Sequence, residues 1–366
     1  MVTSSMKALF LCSGFLLFAL PLHADRFEQW DRNGDGKLQK EELPPGARRN
    51  FERVDTDQDG TISREEHNAF IQRGRADRGA GHDDYRIERN LDYVGSGNDR
   101  QRVDLFLPTA KSDSPRPLLL YIHGGGWRQG SKEHGFKRLL PFLEAKGLAG
   151  ACINYRLSNE ASWPAQIHDC KAAIRWLKAN AEKYGYDPGK IAVWGTSAGG
   201  HLAGMLGVSG DVPSLEGALG KHLDENSRVA CVVNYFGPAN LQTMDNYPSS
   251  IRHNAPDSPE GRLLGGAITE KRELAANASP VTHVSKGDAP MILVHGTDDK
   301  LVPYPQSVEF SRELRREGVQ VALITMEGAG HGFRSDQLVT RVSAFLGVHL
   351  RGETEEIADR RIARGD

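Results

Sequence analysis

The sequence predicts an α/β protein with a doubly wound, mostly parallel sheet, preceded by a small helical module. Short apolar runs of strand length alternate with helix-length segments over residues 102–194. This alternation is typical of parallel sheets whose crossover helices cover both faces. Two acidic loops of one pattern, at 31–42 and 55–66, precede it and indicate a separate module. The 366 residues, 39% of them hydrophobic, are enough for one large core and one small one.

The hydrophobic pattern places the main elements of the larger region. We predict an antiparallel strand pairing at its N-terminal edge and an amphipathic helix at 165–183. We predict strands at 102–107, 118–122, 148–154, 190–194, 291–294 and 321–326. Sheets of this kind bind ligands at the carboxyl ends of their strands, so the residues after these strands are the first candidates for a site.

One tight turn joins a predicted strand to a predicted helix. The segment Gly195-Thr196-Ser197-Ala198-Gly199 fits the G-x-S-x-G pattern in which a serine is exposed at the tip of a strained strand-to-helix turn. Glycine is needed two positions before and after the serine, because a side chain there would collide with the turn. Ser197 is therefore the candidate nucleophile.

A glycine-rich loop follows an earlier strand and predicts an oxyanion hole. The apolar run 117–122 leads into His123-Gly124-Gly125-Gly126-Trp127. Glycines let backbone N–H groups come close to a developing alkoxide. We expect donors from Gly125 and Gly126, with the N–H of Trp127 as a substitute for one of them. The N–H of Ala198, just after the nucleophile, completes the set.

A base and an acid follow the serine in the order that this arrangement requires. The strand at 321–326 leads to the glycine-flanked His331, which we assign as the general base. The strand at 291–294 leads to two adjacent carboxylates, Asp298 and Asp299, and the pattern alone does not choose between them.

Seven segments carry a resemblance to a known family: HGGGW, NYRLS, WPAQIHDCKAAIRWL, WGTSAGGHLA, SPEGRLLGG, HGTDDKLVP and GAGHGF. Over about residues 85–350 the chain resembles the secreted α/β-hydrolase esterases that include feruloyl and acetylxylan esterases, near the hormone-sensitive-lipase-like group. The resemblance implies the α/β-hydrolase fold. It also implies that the acid is Asp299, the fifth residue of HGTDDKLVP, with Asp298 as a surface or loop-capping carboxylate.

The motifs together predict a serine carboxylesterase that acts through a Ser-His-Asp triad and an acyl-enzyme. We expect short-chain or aromatic esters as substrates, and the resemblance implies acetyl or feruloyl groups on plant polysaccharides. An arylformamidase or a small serine peptidase is the alternative on the same fold. A calcium-dependent carbohydrate-binding or adhesion protein is the alternative of another class, and the intact triad disfavours it.

Catalysis should need no cofactor, because the chain has no H-E-x-x-H motif and no paired C-x-x-C. Trp127 and Trp163 are candidate walls of an acyl or sugar site, with burial in the core as the alternative. The stretch 242–288 lacks the long apolar helix pair of a lipase lid. We therefore expect an open, shallow acyl pocket.

The two acidic loops both match D-x-[DN]-x-[DN]-G-x5-E and predict a pair of EF-hand calcium sites. Positions 1, 3 and 5 supply side-chain oxygens, position 7 a backbone carbonyl and position 12 a bidentate glutamate. Leu38 and Ile62 should pair in a short β-contact, and the short spacing between the loops calls for abbreviated inner helices. The predicted Ca²⁺ ligands are Asp31, Asn33, Asp35, Lys37 and Glu42 in the first loop, and Asp55, Asp57, Asp59, Thr61 and Glu66 in the second. We expect the ions to be structural.

The N-terminus predicts export. Lys7 precedes an apolar run over 8–20, and a small-residue end at Ala24 follows. The run is too short to span a bilayer as a mature helix, so we expect a cleaved signal peptide and a periplasmic or extracellular protein.

The predicted domains are a signal peptide at 1–24, the EF-hand pair at 25–71, a linker at 72–84, the hydrolase at 85–350 and a charged tail, expected as a frayed helix, at 351–366.

The net charge limits the classes of binding partner, and the cysteine content bears on whether the chain forms a disulfide. A net charge of −2 predicts no general affinity for nucleic acid or anionic membranes, which leaves the ester substrate as the expected partner. Beyond the signal peptide the chain has Cys152, Cys170 and Cys231. We expect buried thiols, with a Cys152–Cys170 bridge as the alternative that an oxidising compartment would permit.

Overall fold

The computed structural model describes residues 26–48, 50–70 and 84–363. The chain forms two compact units, residues 1–80 and 81–366, and their boundary falls inside the predicted linker. The predicted signal peptide and all of that linker but its last residue lie outside the described residues. Within the described part of the chain, no helix has the length and apolarity needed to cross a membrane.

The N-terminal unit contains two helix–loop–helix motifs. The inner helices α2 and α3 have only four residues each, as the short spacing predicted. Leu38 pairs with Ile62 in a two-residue antiparallel ladder, which confirms the predicted β-contact. The elements are α1 (Arg26–Trp30), β1 (Lys37–Leu38), α2 (Pro45–Arg48), α3 (Phe51–Val54), β2 (Ile62–Ser63) and α4 (64–70). The small core contains Phe27, Leu38, Leu43, Phe51, Val54 and Ile62.

The second unit is built on one sheet of nine strands in the order β11-β10-β9-β8-β7-β5-β6-β4-β3. The pairs β3–β4 and β4–β6 are antiparallel and all other pairs are parallel, which confirms the predicted sheet and its antiparallel N-terminal edge. The strands are β3 (Tyr85–Asp92), β4 (Arg102–Pro108), β5 (Arg116–Ile122), β6 (Ala149–Ile153), β7 (Tyr186–Thr196), β8 (Cys231–Tyr235), β9 (Met291–Gly296), β10 (Val321–Glu327) and β11 (Arg360–Ala363).

Helices cover both faces of this sheet. Residues of β5 alternate between two hydrophobic clusters, with Leu118 and Leu120 in one and Leu119 and Tyr121 in the other, as the pleat requires. Helices α6, α8 and α12 pack in the first cluster, and α5 and α13 in the second. The helices are α5 (Gly135–Lys146), α6 (Ala165–Ala179), α7 (Ala181–Tyr184), α8 (Ala198–Val208), α9 (Pro213–Glu216), α10 (Pro259–Leu264), α11 (Arg272–Asn277), α12 (Pro305–Arg316) and α13 (Asp336–Arg351).

The predicted helix at 165–183 is two helices. Helix α6 ends at Ala179, and α7 begins at Ala181. The side chain of Asn180 donates a hydrogen bond to the carbonyl of Trp176, 2.9 Å away, and so shares this acceptor with its own backbone N–H, which lies 3.1 Å from the same oxygen. Asparagine competes with the helical backbone in this way, and the apolar periodicity that continues past it hid the break.

The prediction of a frayed helical tail over 351–366 is wrong. Helix α13 ends at Arg351, and β11 then pairs in parallel with β10 as the edge strand of the sheet. Ile362 is only 2% exposed and packs in the second cluster. Asp359 accepts a hydrogen bond from the backbone N–H of Leu323, 2.9 Å away, which fixes the start of the strand. One buried isoleucine in a charged segment is too weak a pattern to predict a strand, but the open edge of β10 supplies its partner.

The three described cysteines are free and buried. Cys170 packs in the first cluster and Cys152 in the second, so the sheet separates them. The alternative of a Cys152–Cys170 bridge is therefore not realised, and burial raises the pKa of both thiols well above their ordinary value.

Replacing Ile362 tests whether β11 belongs to the folded core. Ile362→Ala should lower the free energy of unfolding of the hydrolase unit by about 2 kcal/mol, because it removes buried methylenes from a packed site. The matched change Arg360→Ala, on an exposed residue of the same strand, should change it by less than about 0.5 kcal/mol. Urea unfolding followed by tryptophan fluorescence measures both. Equal effects of the two changes would show that the strand is not docked.

Candidate active site

The turn between β7 and α8 is held by close approaches of backbone to backbone. Ser197 has φ 55° and ψ −123°, a conformation that L-residues rarely adopt. A Cβ on Gly195 would lie 1.9 Å from the carbonyl oxygen of Gly199, and a Cβ on Gly199 would lie 2.1 Å from that of Ile122. Both approaches exclude any side chain. The two glycines of G-x-S-x-G are thus steric requirements of this turn.

Three side chains from the ends of three strands form one hydrogen-bonded chain. The Oγ of Ser197, after β7, lies 2.9 Å from Nε2 of His331, after β10. Nδ1 of His331 lies 2.7 Å from Oδ2 of Asp299, after β9. Asp298 is exposed and Asp299 is 4% exposed, so the structure brings Asp299 rather than its neighbour to the histidine. This arrangement lets His331 accept the serine proton while donating its other ring proton to the carboxylate.

The surroundings of Asp299 keep it ionised. Its Oδ1 accepts hydrogen bonds from the backbone N–H groups of Leu301 and Val302, at 2.8 and 3.0 Å. Its Oδ2 lies 3.2 Å from Nε2 of His295. Burial alone would raise the pKa of this carboxyl, but the hydrogen bonds from His295 and His331 outweigh it and hold the pKa well below the ordinary value. The histidine therefore faces a fixed negative charge.

The glycine-rich loop lies against the turn that carries the serine. A Cβ on Gly124 would be 2.7 Å from the carbonyl oxygen of Thr196 and 3.2 Å from Cβ of Ser197. Gly125 and Gly126 both have positive φ, at 115° and 59°. A Cβ on Gly125 would lie 2.1 Å from a backbone oxygen, so only glycine fits there.

The three predicted donors share one cavity with the serine. Gly125, Gly126 and Ala198 line the same space as Ser197 and His331. Ala198 is the first residue of α8, and its N–H therefore has no acceptor within the helix. The N–H of Ala198 is thus left for a ligand in the cavity, and Gly125 and Gly126 stay the predicted source of the other donors.

The buried side chain of Trp127 anchors the glycine-rich loop to His201. Its φ is 54°, its side chain is 1% exposed, and its indole N–H donates to Nδ1 of His201, 3.2 Å away. Nε2 of His201 lies 2.6 Å from the carbonyl oxygen of Ala278 and so carries the ring proton. Burial lowers the pKa of His201 to about 4, which keeps this ring neutral and able to accept from the indole. Trp127 therefore lines the cavity mainly as a support of the loop.

The cavity has a volume of ≈ 540 Å³, within the range of small-molecule sites. Trp163 does not line it. Its ring is 4% exposed, packs in the first hydrophobic cluster, and donates its N–H to Oδ1 of Asn277 at 2.7 Å. The assignment of Trp163 to the substrate site is corrected accordingly, because its burial beneath the site takes it out of reach of a ligand.

Phe236 and Glu260 are among the cavity residues that the sequence analysis missed. Phe236 follows β8, has a φ of 42°, and places its ring 4.5 Å from that of His331. Glu260 lies in α10 and is 2% exposed. The position of Phe236 at the carboxyl end of a strand was the one signal that could have found it. Glu260 lay inside a quoted family segment, but nothing in its spacing marked it as a site residue.

The second acidic loop of the N-terminal unit has the donor set of a Ca²⁺ site. Carboxylate oxygens of Asp55, Asp57 and Asp59 lie within 4.8 Å of one another. Oδ1 of Asp55 is buried without a hydrogen-bond partner among the described residues. Burial would raise the pKa of Glu66, yet backbone hydrogen bonds from Ser63 and Thr56 lower it to about 2. With Glu66 this loop has four carboxylate side chains, and such oxygen donors fit a hard cation.

The first loop is closed by its own hydrogen bonds. Asp31 accepts from the backbone N–H groups of Gly34 and Gly36, and Glu42 accepts from those of three loop residues. Asp35 accepts from the side-chain amides of Asn33 and Gln39. Among the described residues the close cluster of three acidic groups occurs only in the second loop. The backbone carbonyls predicted to serve as ligands, those of Lys37 and Thr61, come from the position just before Leu38 and Ile62 in each loop.

Known protein families match the two units of the chain separately. Residues 103–314 match the BD-FAE family, and residues 24–43 and 49–70 match the EF hand. The esterase LipC of Mycobacterium tuberculosis is 32% identical over 234 residues, which is 64% of this chain and 57% of LipC. This chain spans between half and two thirds of the length of the curated relatives LipC, LipM and LipQ.

Solved structures of esterases are similar to the hydrolase unit. A truncated carbohydrate esterase from gut microbiota is 32% identical, with a TM-score of 0.69, over 74% of this chain and 98% of that chain. Esterase 2 of Thermogutta terrifontis, phosphonylated by sarin, is 26% identical, with a TM-score of 0.59, over 74% of this chain and 97% of that chain.

Proposed function

Because this chain belongs to the BD-FAE family, we propose that it is a serine carboxylesterase whose nucleophile is Ser197. The observation that carries the proposal is the hydrogen-bonded chain from Ser197 through His331 to Asp299, beside the backbone donors of one cavity. Esterases among the relatives and structural neighbours support the same activity.

The proposed reaction follows from the positions of the protons. His331 takes the Oγ proton of Ser197 as the oxygen attacks the ester carbonyl, and the imidazolium is stabilised by the ionised Asp299. The carbonyl oxygen becomes an alkoxide that the N–H groups of Gly125, Gly126 and Ala198 stabilise. His331 then gives its proton to the leaving alcohol. Water repeats the sequence on the acyl-enzyme and releases the acid.

The natural substrates that we propose are acetyl or feruloyl esters of plant polysaccharides. The carbohydrate esterase among the structural neighbours supports this class. The segment 242–288 also contributes only short helices, of six residues at most, so it forms no long helical cover of the kind that buries a fatty acyl chain. Export to the periplasm or the exterior, where such polymers occur, is part of the same proposal.

Replacing the triad residues tests the mechanism. Ser197→Ala should lower kcat for p-nitrophenyl acetate by about a million-fold, because the covalent route is lost while the fold stays. Asp299→Asn should cost about 10⁴-fold, since the imidazole loses its fixed charge and tautomer. The neighbouring carboxylate provides the matched control, and Asp298→Asn should stay within about threefold of the wild type. Retention of more than a hundredth of the activity by Ser197→Ala would exclude Ser197 as the nucleophile. The reverse ranking of the two aspartates would move the acid to Asp298.

Acyl length tests the nature of the pocket. Without a long helical cover the cavity of ≈ 540 Å³ should accept acetyl to butyryl groups and exclude most of a sixteen-carbon chain. We expect kcat/KM for p-nitrophenyl acetate to exceed that for the palmitate ester by at least about a hundredfold, with no activation at an oil–water interface. A preference for palmitate would favour a lipase instead.

We further propose that the N-terminal unit binds Ca²⁺ structurally, in both loops and more tightly in the second. The second loop holds four carboxylates, Asp55, Asp57, Asp59 and Glu66, against three in the first, and carboxylate count raises affinity. A bound Ca²⁺ ion would screen the mutual repulsion of these groups and give the buried Oδ1 of Asp55 a partner. Catalysis itself is proposed to need no cofactor.

Calcium should therefore stabilise the N-terminal unit without changing ester turnover. At a free concentration a hundredfold above Kd, binding adds about 2.7 kcal/mol to the free energy of unfolding of that unit. Calorimetry with and without a chelator measures this gain, and Glu66→Gln should reduce it more than Glu42→Gln does. The turnover of p-nitrophenyl acetate should stay within about twofold throughout. Loss of turnover on chelation, with the hydrolase unit still folded, would contradict a purely structural role.

A further inference from the structure

Glu260 is a buried carboxylate on the wall of the active-site cavity. Its side chain is 3% exposed, and the residue lines the same cavity as Ser197 and His331. Glutamate is almost never buried to this extent unless its charge is compensated. A carboxylate in this place therefore needs both a partner in the protein and a reason to face the site.

The partner in the protein is His253, which is equally buried. Nδ1 of His253 lies 3.0 Å from Oε2 of Glu260, and Nε2 lies 3.0 Å from Oγ of Ser249. Nδ1 and Oε2 are close but not aligned as a hydrogen bond, and neither atom has another hydrogen-bond partner among the described residues. Oε2 is sealed from solvent in this contact, so Oε1 is the oxygen left to accept a hydrogen bond from a ligand in the cavity that Glu260 lines.

The segment that carries Glu260 is rigidly tied. Asp245 accepts hydrogen bonds from the backbone N–H groups of His253 and Asn254, at 2.8 and 2.7 Å. The hydroxyl of Ser258 donates to the carbonyl of His253 at 2.7 Å and accepts from the first turn of α10. These bonds hold the backbone on both sides of Pro259 and Glu260 in place whether or not a ligand is bound.

The same segment touches the oxyanion loop. A Cβ on Gly126 would lie 3.3 Å from Cβ of Pro259, the residue before Glu260. Glu260 therefore follows directly on a residue that packs against the loop proposed to hold the ester carbonyl, and it lines the same cavity as Ser197. A substituent on the alcohol of a bound ester would occupy this shared cavity.

We propose that Glu260 is a specificity-determining residue that accepts a hydrogen bond from a hydroxyl group beside the scissile ester. The site would then select monoacylated polyols, such as sugar esters, over simple alkyl esters. This inference rests on the esterase function proposed above and assigns that function a recognition group for the alcohol.

The chemistry of the cavity defines the ligand group. A carboxylate oxygen accepts hydrogen bonds, so the ligand group that it binds must donate one. Three basic side chains, those of Arg128, His134 and Arg138, line the same cavity and disfavour a cationic donor. A neutral hydroxyl is the donor that satisfies both conditions. A site built to bond a hydroxyl discriminates strongly against an analogue that lacks it, because its own polar group is then left unpaired.

The experiment compares two esters that differ in one group. The substrates are trans-2-hydroxycyclohexyl acetate and trans-2-fluorocyclohexyl acetate, because fluorine has a similar size and electron withdrawal but no proton to donate. Acetate release is measured for the wild type, Glu260→Gln, Glu260→Ala and the control Glu355→Gln, an exposed carboxylate outside the cavity. Circular dichroism and thermal unfolding establish that each variant is folded.

The wild type should prefer the hydroxy ester in kcat/KM by roughly tenfold to a hundredfold, the factor for one hydrogen bond to a charged group. Glu260→Ala should bring this ratio close to one, Glu260→Gln should give an intermediate value, and Glu355→Gln should keep the wild-type ratio. The activity of Glu355→Gln on the fluoro ester should stay within about threefold of the wild type.

Two results would overturn the assignment of Glu260 and leave the esterase function standing. One is a ratio near one in the wild type, which needs no variant and so holds even if Glu260→Ala fails to fold. The other is an unchanged ratio in a folded Glu260→Ala, which would reduce the residue to a structural partner of His253. A wild type that hydrolyses neither ester nor p-nitrophenyl acetate would instead refute the proposed function itself.

Discussion

The site depends on backbone segments that approach one another more closely than any side chain permits. Gly199 lies against the carbonyl of Ile122, at the end of β5, and Gly124 lies against that of Thr196, at the end of β7. These two contacts lock the serine turn to the oxyanion loop, so that the nucleophile and its backbone donors form one rigid piece. Positive φ angles at Ser197 and Trp127 are tolerated because this packing leaves no alternative.

Electrostatic interactions hold the other two residues of the site, Asp299 and His331, in place. Asp299 is almost completely buried, yet two backbone N–H groups and two imidazoles surround its oxygens. Its pKa is lower in the folded than in the unfolded chain, so its ionisation favours folding above the ordinary carboxyl pKa, and this contribution is lost as the pH falls through the folded value. His295, with Nδ1 2.7 Å from Oγ of Ser307, fixes the acid just as the acid fixes His331. His295 and His331 thus hold Asp299 from two sides, and Asp299 in turn orients the ring of His331.

Much of this was predictable because it depends on local pattern. The serine turn and the glycine-rich loop could be predicted because steric requirements allow only glycine at particular positions. The EF-hand loops could be predicted because their acidic residues recur at fixed spacing. The sheet was readable from the alternation of apolar strands with helices. The roles of Trp163, Glu260 and β11 could not be predicted, because each of them is surrounded by residues that are distant in the sequence. An apolar ring has the same signature in a core as in a pocket, and Ile362 becomes a core residue only through the edge of β10.

The two units differ in what makes them stable, and this explains why only one of them is proposed to need ions. The hydrolase unit has two extensive hydrophobic clusters on the faces of a nine-stranded sheet, whereas the core of the N-terminal unit has six buried apolar residues among those that the structure describes. A core of that size contributes little beyond the conformational entropy lost on folding. The second loop meanwhile gathers carboxylate oxygens of Asp55, Asp57 and Asp59 within 4.8 Å of one another, and Nζ of Lys37, from the first loop, lies 3.1 Å from Oδ2 of Asp59. The divalent cation proposed above would bind these carboxylates only in the folded loop, so its binding free energy would add to the stability that the small core leaves low.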